Sequence, residues 1–119
     1  MPDQSITLPF KVPNLLAGFA EGKGLANASP SELVLEFVVK DTMLDLFRSG
    51  MKEIRIPRSE VDVVRFKRGW FGAKVPIRLK SMKWLADLPG CDNGEVTLHV
   101  ARRERDQVAE FVQMLRQVP

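Results

Sequence analysis

The C-terminal segment of the chain carries the pattern that most constrains its fold. Apolar residues recur there at helical spacing, at positions 108, 111, 112, 115 and 118, and charged or glutamine side chains occupy the opposite face. This stripe predicts an amphipathic helix over residues 102–118. Because an apolar stripe must be buried against another element, the rest of the chain has to supply a surface for it.

The segments before this helix alternate with a period of two, which is the spacing of half-buried strands. Seven candidate strands follow one another, at residues 6–12, 22–28, 33–39, 52–57, 61–66, 74–80 and 96–100. In the fifth, Val61 and Val63 share one face whereas Val64 and Phe66 share the other, a phase change that predicts a β-bulge. Strands first and one helix last favour a mainly-β or α+β domain.

The length of 119 residues predicts one domain with a self-sufficient core. We expect residues 21–100 to form the strands of a small barrel and residues 1–20 to form an N-terminal extension or an edge strand. Residues 42–50 fit either a helical turn or an irregular loop.

Prolines favour two segments as edge strands, because proline cannot donate to a sheet ladder. Strand 6–12 contains Pro9 and is followed by Pro13, and strand 74–80 contains Pro76. Edge strands are places where a partner, or a second copy of the chain, can add a strand.

Three stretches resemble bacterial pleckstrin-homology-like domains: residues 31–37, 54–61 and 64–72. The resemblance extends over about residues 20–118 and implies a seven-stranded antiparallel β-barrel or sandwich capped by one C-terminal α-helix. It also implies a scaffold for protein or membrane contacts, and some relatives assemble into rings. The loop 29–32 has no basic residue, so the inositol-phosphate site of phosphoinositide-binding members is not implied here.

Catalytic and metal chemistry find little support in the sequence. His99 is the one histidine, and strand alternation places it on the outer face, opposite Leu98 and Val100. Cys91 is the one cysteine, so three or four soft zinc ligands are not available. We therefore predict no enzyme activity, no cofactor and no small-molecule substrate.

Basic residues concentrate in a predicted hairpin. Seven lysines and arginines and no acid lie between residues 65 and 83. The candidate binding surface consists of Arg65, Lys67, Arg68, Trp70, Phe71, Lys74, Arg78 and Lys80. Basic side chains around an aromatic tip suit an anionic membrane, and the same set suits a phosphate backbone. In the alternative interpretation, Trp70 and Phe71 plug the barrel end and the charges form a solvated edge.

Arg102 and Arg103 at the predicted helix start form a weaker candidate, an anion site that uses free N–H groups. The alternatives are pairing with an acid such as Asp106, or a helix that starts one turn later.

The sequence thus predicts a non-catalytic interaction module. Contact with a protein partner, or self-association, through strand edges or the helix groove is the first expectation. Binding of anionic lipids through the hairpin 65–80 is the second, and nucleic-acid binding by the same face is the third. The chain begins with no basic segment leading into a long apolar run, so we expect a cytoplasmic protein.

Overall fold

The computed structural model describes residues 5–15, 20–41, 51–70, 72–85 and 94–116 of the chain. An antiparallel β-sheet is followed by one α-helix, which confirms the predicted mainly-β class. The strands are β1 (Ile6–Leu15), β2 (Ala20–Ala28), β3 (Glu32–Asp41), β4 (Lys52–Pro57), β5 (Val61–Val64), β6 (Lys67–Arg68), β7 (Gly72–Leu79) and β8 (Glu95–Ala101), and the helix is α1 (Arg105–Arg116).

Several predictions fall wholly or partly on residues outside these ranges. They concern the ambiguous segment 42–50, Phe71 of the hairpin, Cys91 and the last stripe position, Val118.

The first strand lies in the middle of the sheet. Successive neighbours are β4, β3, β2, β1, β8, β7 and β5, and β6 also pairs with β7. The prediction that residues 1–20 form an extension or an edge strand is therefore wrong, because β1 pairs with β2 and with β8. The predicted edge at residues 74–80 is also wrong, since β7 lies between β8 and the β5 and β6 strands. Within the described ranges, the edges are β4 and the β5 and β6 strands.

Prolines interrupt ladders in this sheet without placing their strands at an edge. The β1–β8 ladder has a single register pair, Lys11 with His99, which lies between Pro9 and Pro13. On β7, the carbonyl of Pro76 accepts a hydrogen bond from the Arg65 N–H at 3.0 Å, but proline has no N–H to return one. The ladder breaks at this point, so the predicted fifth strand, 61–66, ends at Val64, and the short strand β6 follows at Lys67.

A register shift in the β5–β7 ladder lies between Val61 and Val63, one step before the adjacent valines, Val63 and Val64, at which the sequence predicts the bulge. Val61 and Val64 are buried, whereas Val63 is 38% exposed. The bulge is confirmed, but the expected pairing of Val61 with Val63 on one face is wrong. The extra residue, Asp62, turns the chain so that Val64 takes the inward position.

Both ends of the strand order contribute to one core. Ile56 of β4 and Val61 of β5 belong to the same cluster of buried side chains as Val75 and Leu98 of the central strands. The sheet therefore curls around a single apolar interior.

The C-terminal helix packs on this interior. The buried side chains of α1 are Val108, Phe111, Val112, Met114 and Leu115. Each contributes roughly 1.5–3 kcal/mol when it is removed from water. The described part of the predicted stripe is thus confirmed, with Met114 in addition.

Both ends of α1 are tied to the sheet region. The helix begins at Arg105, later than the predicted residue 102, because Arg102–Glu104 forms a 3-10 turn. At the other end, the Arg116 guanidinium donates two hydrogen bonds to the carbonyl oxygen of Val64, at 2.8 and 3.0 Å.

Candidate anion-binding surface

The tip of the β6–β7 hairpin exposes a large aromatic side chain. The Gly69 N–H donates to the Gly72 carbonyl at 2.7 Å and closes the turn, and Trp70 at the tip is 82% exposed. The alternative in which Trp70 plugs the barrel end is therefore wrong. Glycine is required at position 72, because a Cβ there would collide with the carbonyl oxygen of Val100 on β8.

Three exposed cations flank this tip. Lys67 and Lys74 are directly opposite each other in the β6–β7 ladder, and Arg68 is opposite Ala73. Like charges in directly opposed positions destabilise a sheet. In the described part of the chain none of the three has an ion-pair partner. The fold itself therefore gains nothing from this arrangement of charge.

The other predicted basic residues lie farther from the tip. Arg78 and Lys80 are four and six residues beyond Lys74, which at 3.2–3.4 Å per residue corresponds to roughly 13 and 20 Å along the strand. Arg78 pairs with Glu95 of β8 at 3.5 Å. Arg65 lies between β5 and β6, where the pairing with β7 is interrupted. The predicted surface thus divides into a tip cluster (Lys67, Arg68, Trp70, Lys74) and a distal set (Arg65, Arg78, Lys80).

The second predicted set, Arg102 and Arg103, lies next to the tip cluster. The register pair Gly72–Ala101 places Arg102 one residue beyond the end of the β7–β8 ladder. Arg103 pairs with Glu104 at 3.4 Å, and both arginines precede α1 instead of lying in its first turn. Both alternatives to the anion site, a local acid and a later helix start, thus describe this segment, although the acid is Glu104 and not Asp106.

Sequence reasoning missed the side chain that joins these two sets. The Arg105 guanidinium donates to the Gly69 carbonyl oxygen at 3.1 Å, so the start of α1 holds the base of the hairpin turn. No sequence spacing indicates this contact, because the two residues are 36 positions apart.

His99 lies on the outer face of β8, as alternation predicts, and is half-buried. Its register partners are Lys74 on β7 and Lys11 on β1. Burial lowers the pKa of His99, and the charge of Lys74 lowers it further. Neither register partner is an acid that would orient the imidazole for proton transfer.

At the opposite edge of the sheet, a cation is paired with acids. Arg55 of β4 pairs with Glu32 at 2.9 Å and with Glu53 at 3.2 Å, and these two acids raise the pKa of the guanidinium, Glu53 more than Glu32. A groove of about 460 Å³ beside this cluster is lined mainly by polar groups of β1–β4, among them Thr7, Asn27 and Glu36. Paired charges of both signs discourage a further strand from pairing with this edge, and they favour neither an anionic nor a cationic ligand.

Two general features complete the description of the site. Among the residues that the structure describes, no group of three or more histidine, cysteine or acidic side chains is placed to hold a metal ion. No helix in the same ranges has the length and apolar character needed to cross a membrane.

Neither a protein-family model, nor a curated protein, nor a solved structure matches this chain.

Proposed function

We propose that the chain is a non-catalytic binding module of pleckstrin-homology-like architecture, and that it docks on anionic membrane surfaces through the tip cluster. The observation that carries the proposal is the 82% exposed Trp70 between cations that have no acidic partner in the described ranges. Tryptophan favours the membrane–water interface because its ring is apolar and its N–H is polar.

The cations around Trp70 are numerous enough to favour an anionic surface measurably. Each lysine or arginine near an anionic bilayer contributes about 1 kcal/mol. Lys67, Arg68 and Lys74 together therefore favour an anionic over a neutral surface by about 3 kcal/mol, roughly a hundredfold. Phosphate groups supply the negative charge, and the interface accepts the Trp70 ring.

A nucleic acid is the less favoured partner of the same cluster. Proteins that hold single strands stack successive bases on several aromatic side chains. In the described ranges Trp70 is the one aromatic residue that is largely exposed, since Trp84 is half-buried and its indole N–H donates to Glu60 at 3.1 Å.

A protein partner that adds a strand at an edge is also less favoured. The two predicted edges are interior strands, and the β4 edge presents Lys52, Glu53 and Arg55 to solvent. Charged side chains on an edge strand oppose further strand pairing.

Two features support the remaining parts of the proposal. Seven of the eight strands form one continuous order and a single helix packs against their shared core, as in the architecture that the resemblance implies. His99, the one histidine, has lysines as register partners, which supports a non-catalytic role.

The direct test is co-sedimentation with vesicles of phosphatidylcholine alone or mixed with phosphatidylglycerol. We expect binding to the mixed vesicles only, and weaker binding for Trp70→Ala. Met51→Ala is the control, because Met51 is also a largely exposed apolar side chain, 69% exposed against 82% for Trp70, and lies just before β4.

Two outcomes would count against the proposal. Negligible binding to both kinds of vesicle removes the membrane function. Tight, salt-sensitive binding of a labelled oligonucleotide without vesicle binding assigns the cluster to nucleic acid instead.

A further inference from the structure

Register pairing brings five basic residues from five strands into one line, which we call the basic row. Lys67 of β6 is opposite Lys74 of β7, which is opposite His99 of β8. His99 is opposite Lys11 of β1, and Lys11 is opposite Lys23 of β2. These residues lie far apart in sequence, and only the strand register aligns them.

The row runs across the outer face of the sheet. Its members alternate along their strands with buried neighbours such as Val12, Val75 and Leu98, so all five point away from the core. The four lysines are exposed and His99 is half-buried. With strands 4.7–4.9 Å apart, four steps give a row roughly 19 Å long.

No acid neutralises the row within the described part of the chain. Its four lysines form no ion pair there; of the acids near it on the same face, Glu21 pairs with Lys40 at 3.5 Å and Glu95 pairs with Arg78 at 3.5 Å, and Glu36, diagonal to Lys23, forms no ion pair with it. Like charges on neighbouring strands repel one another. An anionic partner along the row relieves this repulsion.

An apolar pair borders the far end of the row. Pro9 and Leu25 are opposite each other, two residues from Lys11 and Lys23, and Leu25 is 45% exposed. Cations next to exposed apolar side chains match the headgroup region of a bilayer, where both find partners. A phosphodiester backbone would leave Leu25 without a contact.

We propose that the basic row is a second part of the membrane contact and lies along anionic lipid headgroups. This inference rests on the proposed function and gives it an orientation. Trp70 enters the interface at one end of the row, and the outer face of β1, β2, β7 and β8 is turned toward the bilayer. The contact then extends well beyond the predicted hairpin.

The test reverses single charges at the end of the row farthest from Trp70. Lys11→Glu and Lys23→Glu are compared with Lys52→Glu, an identical change on the exposed β4 edge away from the row. Partitioning onto vesicles that contain phosphatidylglycerol should fall by more than about fivefold for each row variant and much less for Lys52→Glu, because each near-surface cation favours binding by about fivefold and the introduced carboxylate is repelled by the anionic surface. Circular dichroism of each variant verifies that the fold is retained.

The results separate the two proposals. If the wild type and Lys52→Glu bind, Trp70→Ala binds weakly, and both row variants match Lys52→Glu, the row is not in the contact although the tip cluster is. If the wild type binds no vesicle, the proposed function fails and the row proposal fails with it. A loss confined to Lys11→Glu and Lys23→Glu, beyond that of the control, supports the row.

Discussion

The two halves of the sheet arrange their charged side chains in different ways. On the β3–β4 half, Arg55 lies between Glu32 and Glu53, and Lys40 pairs with Glu21 of β2. On the half that includes β6, β7 and β8, Lys67 is opposite Lys74, which is opposite His99. The first half pairs Arg55 and Lys40 with acids, whereas the second pairs Arg78 with Glu95 but leaves Lys67 and Lys74 without an ion pair in the described residues.

This difference indicates which surface of the domain to test for binding when no sequence motif does. Exposed ion pairs contribute little to stability, and unpaired like charges subtract from it. A cluster that slightly opposes folding has to be explained by something outside the fold. We propose that the basic half, with the exposed Trp70 at its tip, is such a surface.

Charge reversal should change stability with opposite signs in the two halves. Lys67→Glu converts a repulsive cross-strand pair with Lys74 into an attractive one, so the free energy of unfolding should rise by roughly 0.2–1 kcal/mol. Arg55→Glu places a third acid between Glu32 and Glu53, so the same quantity should fall. Urea unfolding of both variants measures the two changes.

The same two variants should also differ in vesicle binding. Lys67→Glu should weaken binding to vesicles containing phosphatidylglycerol although the protein is more stable, and Arg55→Glu should leave binding nearly unchanged. A Lys67→Glu protein that is destabilised would show that the two lysines are not in repulsive contact, and the contrast between the halves would lose its basis.

A smaller effect concerns pH. Burial and the charge of Lys74 lower the pKa of His99 in the folded state below its ordinary value near 6.5, so the unfolded chain binds a proton more readily. The contribution of His99 to stability should be complete above pH of about 6.5 and should decrease as pH falls from there to the folded pKa. His99→Asn should flatten this part of the stability profile.

The second cause of that shift can be removed separately. In Lys74→Gln the NMR-measured pKa of His99 should move back toward its ordinary value, although not completely, because burial is the larger cause. An unchanged pKa in Lys74→Gln would show that the two side chains do not interact.

Local patterns predicted most of the elements and little of the surface. The stripe at Val108, Phe111, Val112 and Leu115 and the inward Ile54 and Ile56 are confirmed because periodicity is a property of a short segment. The edges were predicted wrongly because prolines report only a missing N–H group, whereas strand order depends on distant pairings such as Lys11 with His99.

The candidate site was predicted in part for the same reason. The basic hairpin was visible in the sequence, but the exposure of Trp70 and its link to α1 depend on a contact between Arg105 and Gly69. The sequence does not indicate that Lys11, Lys23 and His99 belong to the basic row. Each lies on a different strand, and only the strand register aligns them.

The measurement that tests the account most directly is the fluorescence of Trp70 in a Trp84→Phe background, which leaves one tryptophan to report. Trp70 is largely exposed in the free protein, so its emission should shift to the blue with vesicles containing phosphatidylglycerol and stay unchanged with phosphatidylcholine alone. Emission that both kinds of vesicle leave unchanged would contradict the claim that the basic half of the sheet, with Trp70 at its tip, is the membrane-docking surface.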